Sequence, residues 1–336
     1  MFFLLYISIG LVLTFSFTNG MKDGCNVMAT AISSQSISRK HSLIIVTISE
    51  FIGPFLFGIP VAITVAKGII NIDILPHNMD SILLILSGVA GAILWNFLTW
   101  LFSLPTSSSF ALVGGLIGPV IFRYGKNAVP WAVFLVKVIG AMFLSPVLGI
   151  LFGYLIYRLF KYLLRNSTLK ANKYLKEVQI LTLIALGLSH GTNDSQKAMG
   201  IIALLLVLAG ILPSISIPLW VMAVSAFVLA AGITMGGTKI IKTVGYSIFR
   251  VRPIHSFTSQ ISAFSILLAC NLLGAPVSTT QIISSSVIGV GSAYRPKNVK
   301  WKVIYNIFLS WLLTIPLAGA VAALVYILLR KIIFGG

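Results

Sequence analysis

Long apolar stretches of about 16 to 30 residues follow one another along almost the entire chain, and short polar motifs separate or interrupt them. Crossing the hydrocarbon core of a bilayer takes about 20 apolar residues in a helix. The alternation of apolar and polar positions in segments of about ten residues, which marks a transmembrane β-barrel, is absent. The pattern therefore predicts an all-α polytopic membrane protein.

The apolar stretches fall into two similar series on either side of a basic loop at residues 158–177. We expect the first half, residues 1–157, to contain a broken helix 1–36, a helix 42–66, a helical hairpin 82–122 and a helix 129–157. We expect the second half, residues 178–336, to contain a broken helix 178–212, a helix 214–236, a helical hairpin 258–292 and a helix 303–330. Each half thus has the same order of elements.

Two polar motifs recur at the same separation, which indicates that the halves are copies of one unit. The motif NGMKDGCN at residues 19–26 is followed 171 residues later by HGTNDSQK at residues 190–197, with the aspartates aligned. The sequence PTSSS at residues 105–109 is followed at the same distance by PVSTT at residues 276–280. Internal repeats with polar groups in mid-span are typical of transporters whose site lies near the bilayer midplane.

The apolar stretches beside each aspartate motif are too short to cross a membrane alone, since an α-helix rises 1.5 Å per residue. We therefore expect one broken helix at Asp23 and another at Asp194, with free carbonyl and N–H groups at each break. Only a few residues separate the two arms of each hairpin, and such a short polar tip cannot lie exposed in lipid. Both hairpins are therefore expected to re-enter the membrane and line a cavity.

Charge adds an orientation to this plan. The chain has 24 Lys and Arg but only 6 Asp and Glu, for a formal net charge of +18, while 58% of its residues are hydrophobic and the mean hydropathy is +1.03. Most basic residues lie in loops that the element order places on one side, as the positive-inside rule requires. We therefore predict a multi-pass protein of the plasma (cytoplasmic) membrane, with both termini outside, the 158–177 loop cytoplasmic and the two halves inverted. The basic charge gives no reason to expect a nucleic-acid partner.

Three of the six acidic residues, Asp23, Glu50 and Asp194, lie within predicted spans. A carboxylate at the centre of a bilayer costs about 2.5–3.5 kcal/mol on insertion scales, so we expect these residues to have a function. They predict cation binding, with Na⁺ as a candidate ion, or a proton relay. The alternative is an ion pair between helices, for instance with Lys22 or Lys197.

Further polar residues surround both aspartates. Asn26 and Asn193 offer carbonyl oxygens to a cation and amide donors to an anion. The two motifs exchange residue types, because Lys22 aligns with Asn193 and Asn26 aligns with Lys197. Lys197 is a candidate either for binding an anion or for neutralising the neighbouring aspartate, and Lys22 is mainly a candidate for the second role.

The hydroxyl-rich tips are the predicted anion site. Each tip begins the second helix of a hairpin, where unsatisfied N–H groups and the positive end of the helix dipole favour an anion. The alternative is that the hydroxyl groups only cap the helices and bind no ligand. The residues concerned are Ser107, Ser108, Ser109, Ser278, Thr279 and Thr280.

These motifs resemble those of the PiT inorganic phosphate transporters. The likeness rests on residues 19–26, 190–200 and 276–280, with lesser matches at 237–245 and 289–293, and it extends over nearly the whole chain. The resemblance implies that the tips hold phosphate through Ser107, Ser108, Ser278 and Thr279. It also implies that the driving cation is bound by Asp23, Asn26, Glu50, Asn193 and Asp194.

The resemblance implies a secondary active symporter, without enzymatic activity or a cofactor, that imports inorganic phosphate with Na⁺ or H⁺ by alternating access. Phosphate is expected either free or as a metal–phosphate complex, and the protein is expected to be a homodimer in the lipid bilayer. The chain departs from the family at Phe110, Gln281 and Gln260, where His, His and Glu are common, so the coupling ion stays open. The rival functions are a sulfate or other oxyanion permease, a passive anion channel and an intramembrane aspartyl protease.

Overall fold

The computed structural model describes residues 1–101, 106–168, 170–236 and 249–335. Among these residues, five helices are long and apolar enough to span a membrane. This confirms an all-helical chain with several apolar helices. The helices of nine or more residues are α1 (Phe2–Ser33), α2 (Arg39–Phe57), α3 (Pro60–Gly68), α4 (Met79–Leu101), α5 (Ser108–Tyr124), α6 (Trp131–Leu163), α7 (Lys170–Leu208), α8 (Leu219–Thr234), α9 (Pro253–Leu272), α10 (Thr279–Tyr294) and α11 (Trp301–Phe334).

The prediction of two broken helices, 1–36 and 178–212, is wrong. Helix α1 runs without interruption through Asp23, and α7 runs without interruption through Asp194. The glycines of the motifs serve close packing instead of a break. A Cβ atom on Gly20 would lie 2.1 Å from the carbonyl oxygen of Leu229, and one on Gly191 would lie 2.3 Å from that of Glu50. The helices therefore stay closed, and their polar side chains find partners on other elements.

A helix break does occur, but within the predicted helix 42–66. Helix α2 ends at Phe57, Gly58 has a φ of +76°, and Pro60 starts α3. Glycine readily adopts positive φ, and proline is favoured in the first turn of a helix. Gln196 of α7 pairs with the backbone at the break: its Nε2 donates to the Gly58 carbonyl at 2.7 Å, and its Oε1 accepts from the Ala62 N–H at 3.0 Å.

The two predicted hairpins appear as the helix pairs α4–α5 and α9–α10. The predicted ranges 82–122 and 258–292 correspond to Met79–Tyr124 and Pro253–Tyr294. Pro105, which the sequence places before the first tip, lies outside the described residues, and so does the motif at 237–245. Ser107 and Ser278 are the N-cap residues of α5 and α10, so each tip begins a helix as predicted.

The remaining elements differ from the prediction in length. The helix predicted at 129–157 extends over Trp131–Leu163 and contains a π-helical segment, Phe134–Gly140. The basic stretch 158–177 is mostly helical instead of a loop, because Lys, Arg and Leu are good helix formers and continue α6 and α7 beyond their apolar parts. The predicted helices 214–236 and 303–330 correspond to Leu219–Thr234 and Trp301–Phe334.

The two halves of the chain interlock. Helix α1 packs on α8 and α2 packs on α7, while α5 packs on α11 and α10 packs on α6. Glycines allow the last two contacts: a Cβ atom on Gly118 would lie 2.1 Å from the Gly319 carbonyl oxygen, and one on Gly289 would lie 2.1 Å from that of Ile150. The second arm of each hairpin thus rests on the final helix of the other half, and both tips are buried.

Candidate functional site

The two hairpin tips meet through a pair of serines. The Ser107 hydroxyl donates to Ser278 Oγ at 2.7 Å, and both residues are buried. Each serine also caps its own helix, since Ser107 Oγ accepts from the Phe110 N–H at 3.3 Å and Ser278 Oγ accepts from the Gln281 N–H at 3.4 Å. These serines are 171 residues apart, so corresponding positions of the two motifs touch each other.

Asp23 of α1 receives hydroxyl groups from both tips. Ser108 of the first tip donates to Asp23 Oδ2 and also lies 2.5 Å from Asn19 Oδ1. Thr280 of the second tip donates to Asp23 Oδ1 at 2.7 Å, and Asn26 Nδ2 donates to the Thr280 oxygen at 2.9 Å. Asp23 is only 2% exposed. The tips and α1 therefore form one enclosed polar cluster.

Asp194 of α7 has a different set of partners, which includes an ammonium group. Lys197 Nζ donates to Asp194 Oδ1 at 2.5 Å and to Ser109 Oγ of the first tip at 2.7 Å. The other carboxylate oxygen, Oδ2, accepts from Asn19 Nδ2 at 3.0 Å and from the Thr279 hydroxyl at 3.2 Å. This ion pair lies within α7 and is therefore not the pair between helices that the sequence offered as an alternative; it corresponds to the other role considered for Lys197, neutralisation of the neighbouring aspartate.

Lys22 has another partner. Its Nζ donates to the backbone oxygen of Thr106 at 3.1 Å and to the Thr106 hydroxyl oxygen at 3.3 Å, at the base of the first tip. The two lysines of the motifs thus both reach the first hairpin. Only Lys197 combines this contact with a bond to its neighbouring aspartate.

Contacts around the two aspartates correspond in pairs. Ser108 donates to Asp23, and Thr279, which is 171 residues after Ser108, donates to Asp194. In the same way Asn26 contacts Thr280 of the second tip, while Lys197, its counterpart, contacts Ser109 of the first tip. The site thus consists of two similar arrangements, and the Asn26 amide stands in the first where the Lys197 ammonium stands in the second.

Glu50 joins the site through a histidine that the sequence did not single out as a site residue. Glu50 Oε1 lies 3.0 Å from His190 Nδ1, and His190 Nε2 lies 3.5 Å from Asp194 Oδ2. All three side chains are inaccessible to solvent. His190 precedes Asp194 by four residues and therefore shares its helix face, which is a signal that sequence reasoning could have used.

Asn193 is not brought to the tips. Its Nδ2 donates to Asn271 Oδ1 at 2.8 Å and to the Ala275 carbonyl at 3.3 Å, so it supports the end of α9. Asn271 in turn donates to the Ser189 carbonyl at 2.8 Å.

Asn271 and Asn19 are two further residues with polar contacts here that the predicted site did not include. Asn19 lies one turn before Asp23, a spacing that places both side chains on one face.

The departures from the family pattern have structural roles. Gln260 accepts from the Thr182 hydroxyl at 2.6 Å and donates to Thr30 Oγ1 at 3.4 Å, so it links three helices. Phe110 is fully buried, and its ring packs 5.9 Å from that of Phe143. Gln281 is buried directly behind the second tip.

Oxygen atoms dominate the possible cation ligands. Asp23 and Thr280 stand beside Asn26, whose Oδ1 is buried and has no hydrogen-bond partner among the described residues. Within the described parts of the chain, no three His, Cys, Asp or Glu side chains form a group suited to a metal ion. Carboxylate, hydroxyl and amide oxygens suit a hard cation. The N-termini of α5 and α10 and the two lysines suit an anion.

Comparison with known proteins identifies the chain. A sequence model described as "Phosphate transporter family" matches residues 19–322. The chain belongs to the phosphate transporter family. This transporter is 36% identical to a Bacillus subtilis protein described as "Probable low-affinity inorganic phosphate transporter", over 95% of each chain. It is 35% identical to a Rhizobium meliloti protein with the same description, over 95% of this chain and 94% of the other.

A solved structure agrees with this assignment. The structure described as "The sodium-dependent phosphate transporter" superposes on this transporter with a TM-score of 0.89 and 26% sequence identity, covering 98% of this chain and all of the other. The resemblance to the PiT family is thereby confirmed. The protein is an integral membrane transporter and not an enzyme, which removes the aspartyl protease from consideration.

Proposed function

We propose that this transporter imports inorganic phosphate together with a cation, at the cluster where the two tips meet Asp23 and Asp194. The observation that carries the proposal is the convergence of two hydroxyl-bearing helix starts on two buried carboxylates. Neither group alone would suffice. Helix starts without carboxylates could bind an anion but could not couple its transport to a cation. Carboxylates without helix starts could bind only a cation.

Phosphate is proposed to bind between the tips. The first N–H groups of α5 and α10 and the positive ends of their dipoles favour its oxygens. The hydroxyl groups of Ser108, Ser109 and Thr279 now donate to Asp23, the Val277 carbonyl and Asp194, and they would turn from these acceptors to donate to phosphate. Lys197 Nζ, already 2.7 Å from Ser109, adds a positive charge to this region. An anion held there lies close to carboxylates that repel it. A bound cation relieves this repulsion, and that gives a physical reason for symport.

Sodium is the proposed coupling cation. Asp23, the Thr280 hydroxyl and the free Asn26 Oδ1 are oxygen ligands of the kind that hard cations prefer. The solved relative is described as sodium-dependent, which supports the choice. Glu50 is proposed to act behind this position, through His190 and Asp194, by adding negative charge to the site.

Alternating access is proposed to arise from two inverted halves. The contact between Ser107 and Ser278 supports a pseudo-twofold axis, because a position that touches its own counterpart lies near the axis that relates the halves. In this arrangement both termini lie outside, the 158–177 region is cytoplasmic, and rocking of one half on the other opens the site to either side. Plasma-membrane location, a homodimer and a cargo of phosphate, either free or as a metal complex, are the further parts of this proposal.

Uptake of labelled phosphate into proteoliposomes tests the proposal. We expect accumulation above the external concentration when an inward sodium gradient is imposed and none when it is absent. A proton gradient applied alone separates sodium from proton coupling, and excess unlabelled sulfate separates a phosphate site from a general oxyanion site. Equilibration without accumulation, whatever the gradient, would instead describe a passive anion channel.

A further inference from the structure

The two corresponding cation positions of the site are not equivalent. We infer that the ammonium group of Lys197 permanently occupies the position beside Asp194, and that only the position beside Asp23 exchanges a cation with solution. This inference rests on the proposed symport and refines it, because it fixes the number of sodium ions that the site binds. Lys197 then determines the stoichiometry of coupling without being an exchangeable ligand.

The first argument is positional. Lys197 and Asn26 are counterparts in the two motifs, and each side chain reaches a hydroxyl group on the tip of the opposite half. Lys197 Nζ lies 2.7 Å from Ser109 Oγ and 2.5 Å from Asp194 Oδ1. The ammonium group therefore lies between a carboxylate and a hydroxyl oxygen, the kind of position that a bound cation would need.

The second argument concerns the remaining capacity of Asp194. A carboxylate has about four lone-pair positions for donors. Asp194 accepts from Lys197, Asn19 and Thr279, and His190 Nε2 lies a further 3.5 Å from its Oδ2. A sodium ion beside Asp194 would have to displace one of these groups. The ammonium is the strongest of them, since charge-assisted hydrogen bonds are roughly twice as strong as neutral ones.

The third argument is the contrast at Asp23. No ion pair of Asp23 is present among the described residues, and its carboxylate accepts only hydroxyl donors there. Asn26 ends in an amide whose Nδ2 donates to Thr280, so its Oδ1 is left without a hydrogen-bond partner in the described structure. Asn26 is 2% exposed. A buried carbonyl oxygen without a donor is costly unless a cation or other donor binds it.

The formal charge of the site also predicts one exchangeable cation. Three carboxylates, Asp23, Glu50 and Asp194, and two ammonium groups, Lys22 and Lys197, leave a formal charge of −1 with histidine counted as neutral. A single monovalent cation brings this cluster to neutrality before the anion binds. Two monovalent cations would make the cluster positive and would place additional charge in a buried site, which is energetically unfavourable.

Equilibrium binding of ²²Na⁺ to the purified full-length protein in detergent tests the inference directly. We expect about one ion per wild-type chain, about two for Lys197→Asn, which recreates the residue found at position 26, and about none for Asn26→Lys, which adds an ammonium on the other side. Size-exclusion chromatography checks that each variant is folded. Lys137→Asn is the matched control, because Lys137 is exposed on α6 and outside the site, and its binding should equal that of the wild type.

Transport provides a second measurement. The Hill coefficient of phosphate uptake against sodium concentration should rise from about 1 in the wild type to about 2 in Lys197→Asn. Asn26→Lys should exchange labelled for unlabelled phosphate without sodium and should lose sodium-driven accumulation. Two bound sodium ions in the wild type, or unchanged binding in both variants, would overturn the inference, and the wild-type count decides even if the variants do not fold. Absence of any sodium-driven uptake by the wild type would instead count against the proposed function itself.

Discussion

Asp23 and Asp194 lie at corresponding positions of two similar halves, but among the described residues only Asp194 bonds to an ammonium group, that of Lys197. Each carboxylate accepts a hydroxyl from the hairpin tip of its own half, and both are almost fully buried. The difference lies three residues further along each helix, where Asn26 stands in one half and Lys197 in the other. One backbone arrangement thus places an ammonium group against the carboxylate on one side and, among the described residues, only hydroxyl donors on the other.

Loss of the Asp194 carboxylate should have the largest effect on stability. Asp194→Asn leaves the buried Lys197 ammonium without its partner, and breaking a buried ion pair from one side costs about 3–5 kcal/mol. Asp23→Asn removes no such pair and should cost about 1–2 kcal/mol. Both variants should fail to accumulate phosphate. Unfolding by SDS in mixed micelles measures the first difference, and proteoliposome uptake measures the second.

The control for this comparison is the double variant Asp194→Asn/Lys197→Met. It removes both charges of the pair together and should recover most of the stability lost by Asp194→Asn, while uptake stays absent. Equal destabilisation by Asp23→Asn and Asp194→Asn would contradict the difference between the two halves. Normal uptake by both single variants would contradict the site itself.

Substitution of the corresponding packing glycines should destabilise the two halves to a similar extent. Gly20→Ala and Gly191→Ala each place a methyl group against the backbone of a neighbouring helix, and forcing such contacts costs about 1–3 kcal/mol. Gly10→Ala on α1 is the control, because nothing lies within 4 Å of a Cβ atom there, and helix propensity favours Ala over Gly by about 1 kcal/mol. Thermal unfolding in detergent checks the series. A Gly20→Ala variant as stable as Gly10→Ala would show that α1 does not pack as described.

The serine pair tests the contact between the halves. Ser107→Ala and Ser278→Ala each remove a helix cap, which costs about 0.5–2 kcal/mol, and each also breaks the bond between the tips. The KM for phosphate should rise about 3- to 10-fold in either variant, which corresponds to the loss of one hydrogen bond. Because the two hydroxyls share a bond, the double variant should lose less than the sum of the singles. Strict additivity in uptake kinetics would argue against the contact.

The smallest effect is expected at an exposed ion pair of the first half. Arg123 Nε donates to Asp80 Oδ2 at 3.0 Å, and the Arg123 side chain is 40% exposed. Exposed pairs of this kind contribute about 0–1 kcal/mol, so Arg123→Gln should change the unfolding free energy by no more than that. High salt should remove the difference between variant and wild type. A loss of stability as large as that of Asp194→Asn would show that burial does not make the Asp194–Lys197 pair more important for stability than an exposed pair.

The sequence predicted which polar groups come together better than it predicted the path of the backbone. The shared separation of 171 residues correctly paired the tips and the aspartates, since Ser107 contacts Ser278 and the tip hydroxyls contact Asp23 and Asp194. Such pairing follows from repetition alone and needs no knowledge of packing. The capping role of the two serines was also predictable, because it depends only on local chain geometry.

The unbroken helices could not be predicted because their cause is not local. Asp23 and Asp194 each accept hydrogen bonds from both halves of the chain, so the helix backbone has no need to open for them. Asp23 accepts from Ser108 and Thr280, and Asp194 accepts from Thr279 and Asn19. The glycines of the two motifs lie where neighbouring helices approach within a methyl group's width, which keeps α1 and α7 closed and closely packed. Lys197 was likewise left between two roles, since its partner depends on where the first tip lies.

Gln196 couples the helix break near Gly58 to the position of α7. One amide group holds both ends of the gap between α2 and α3, through the Gly58 carbonyl and the Ala62 N–H, and it extends from the residue directly before Lys197. A rotation of α7 by a single residue, about 100°, would detach the amide and leave two backbone groups unpaired, at about 1–3 kcal/mol each. The Gln196 amide therefore links the rotation of α7, and with it the position of Lys197, to the angle between α2 and α3, which lies outside the site.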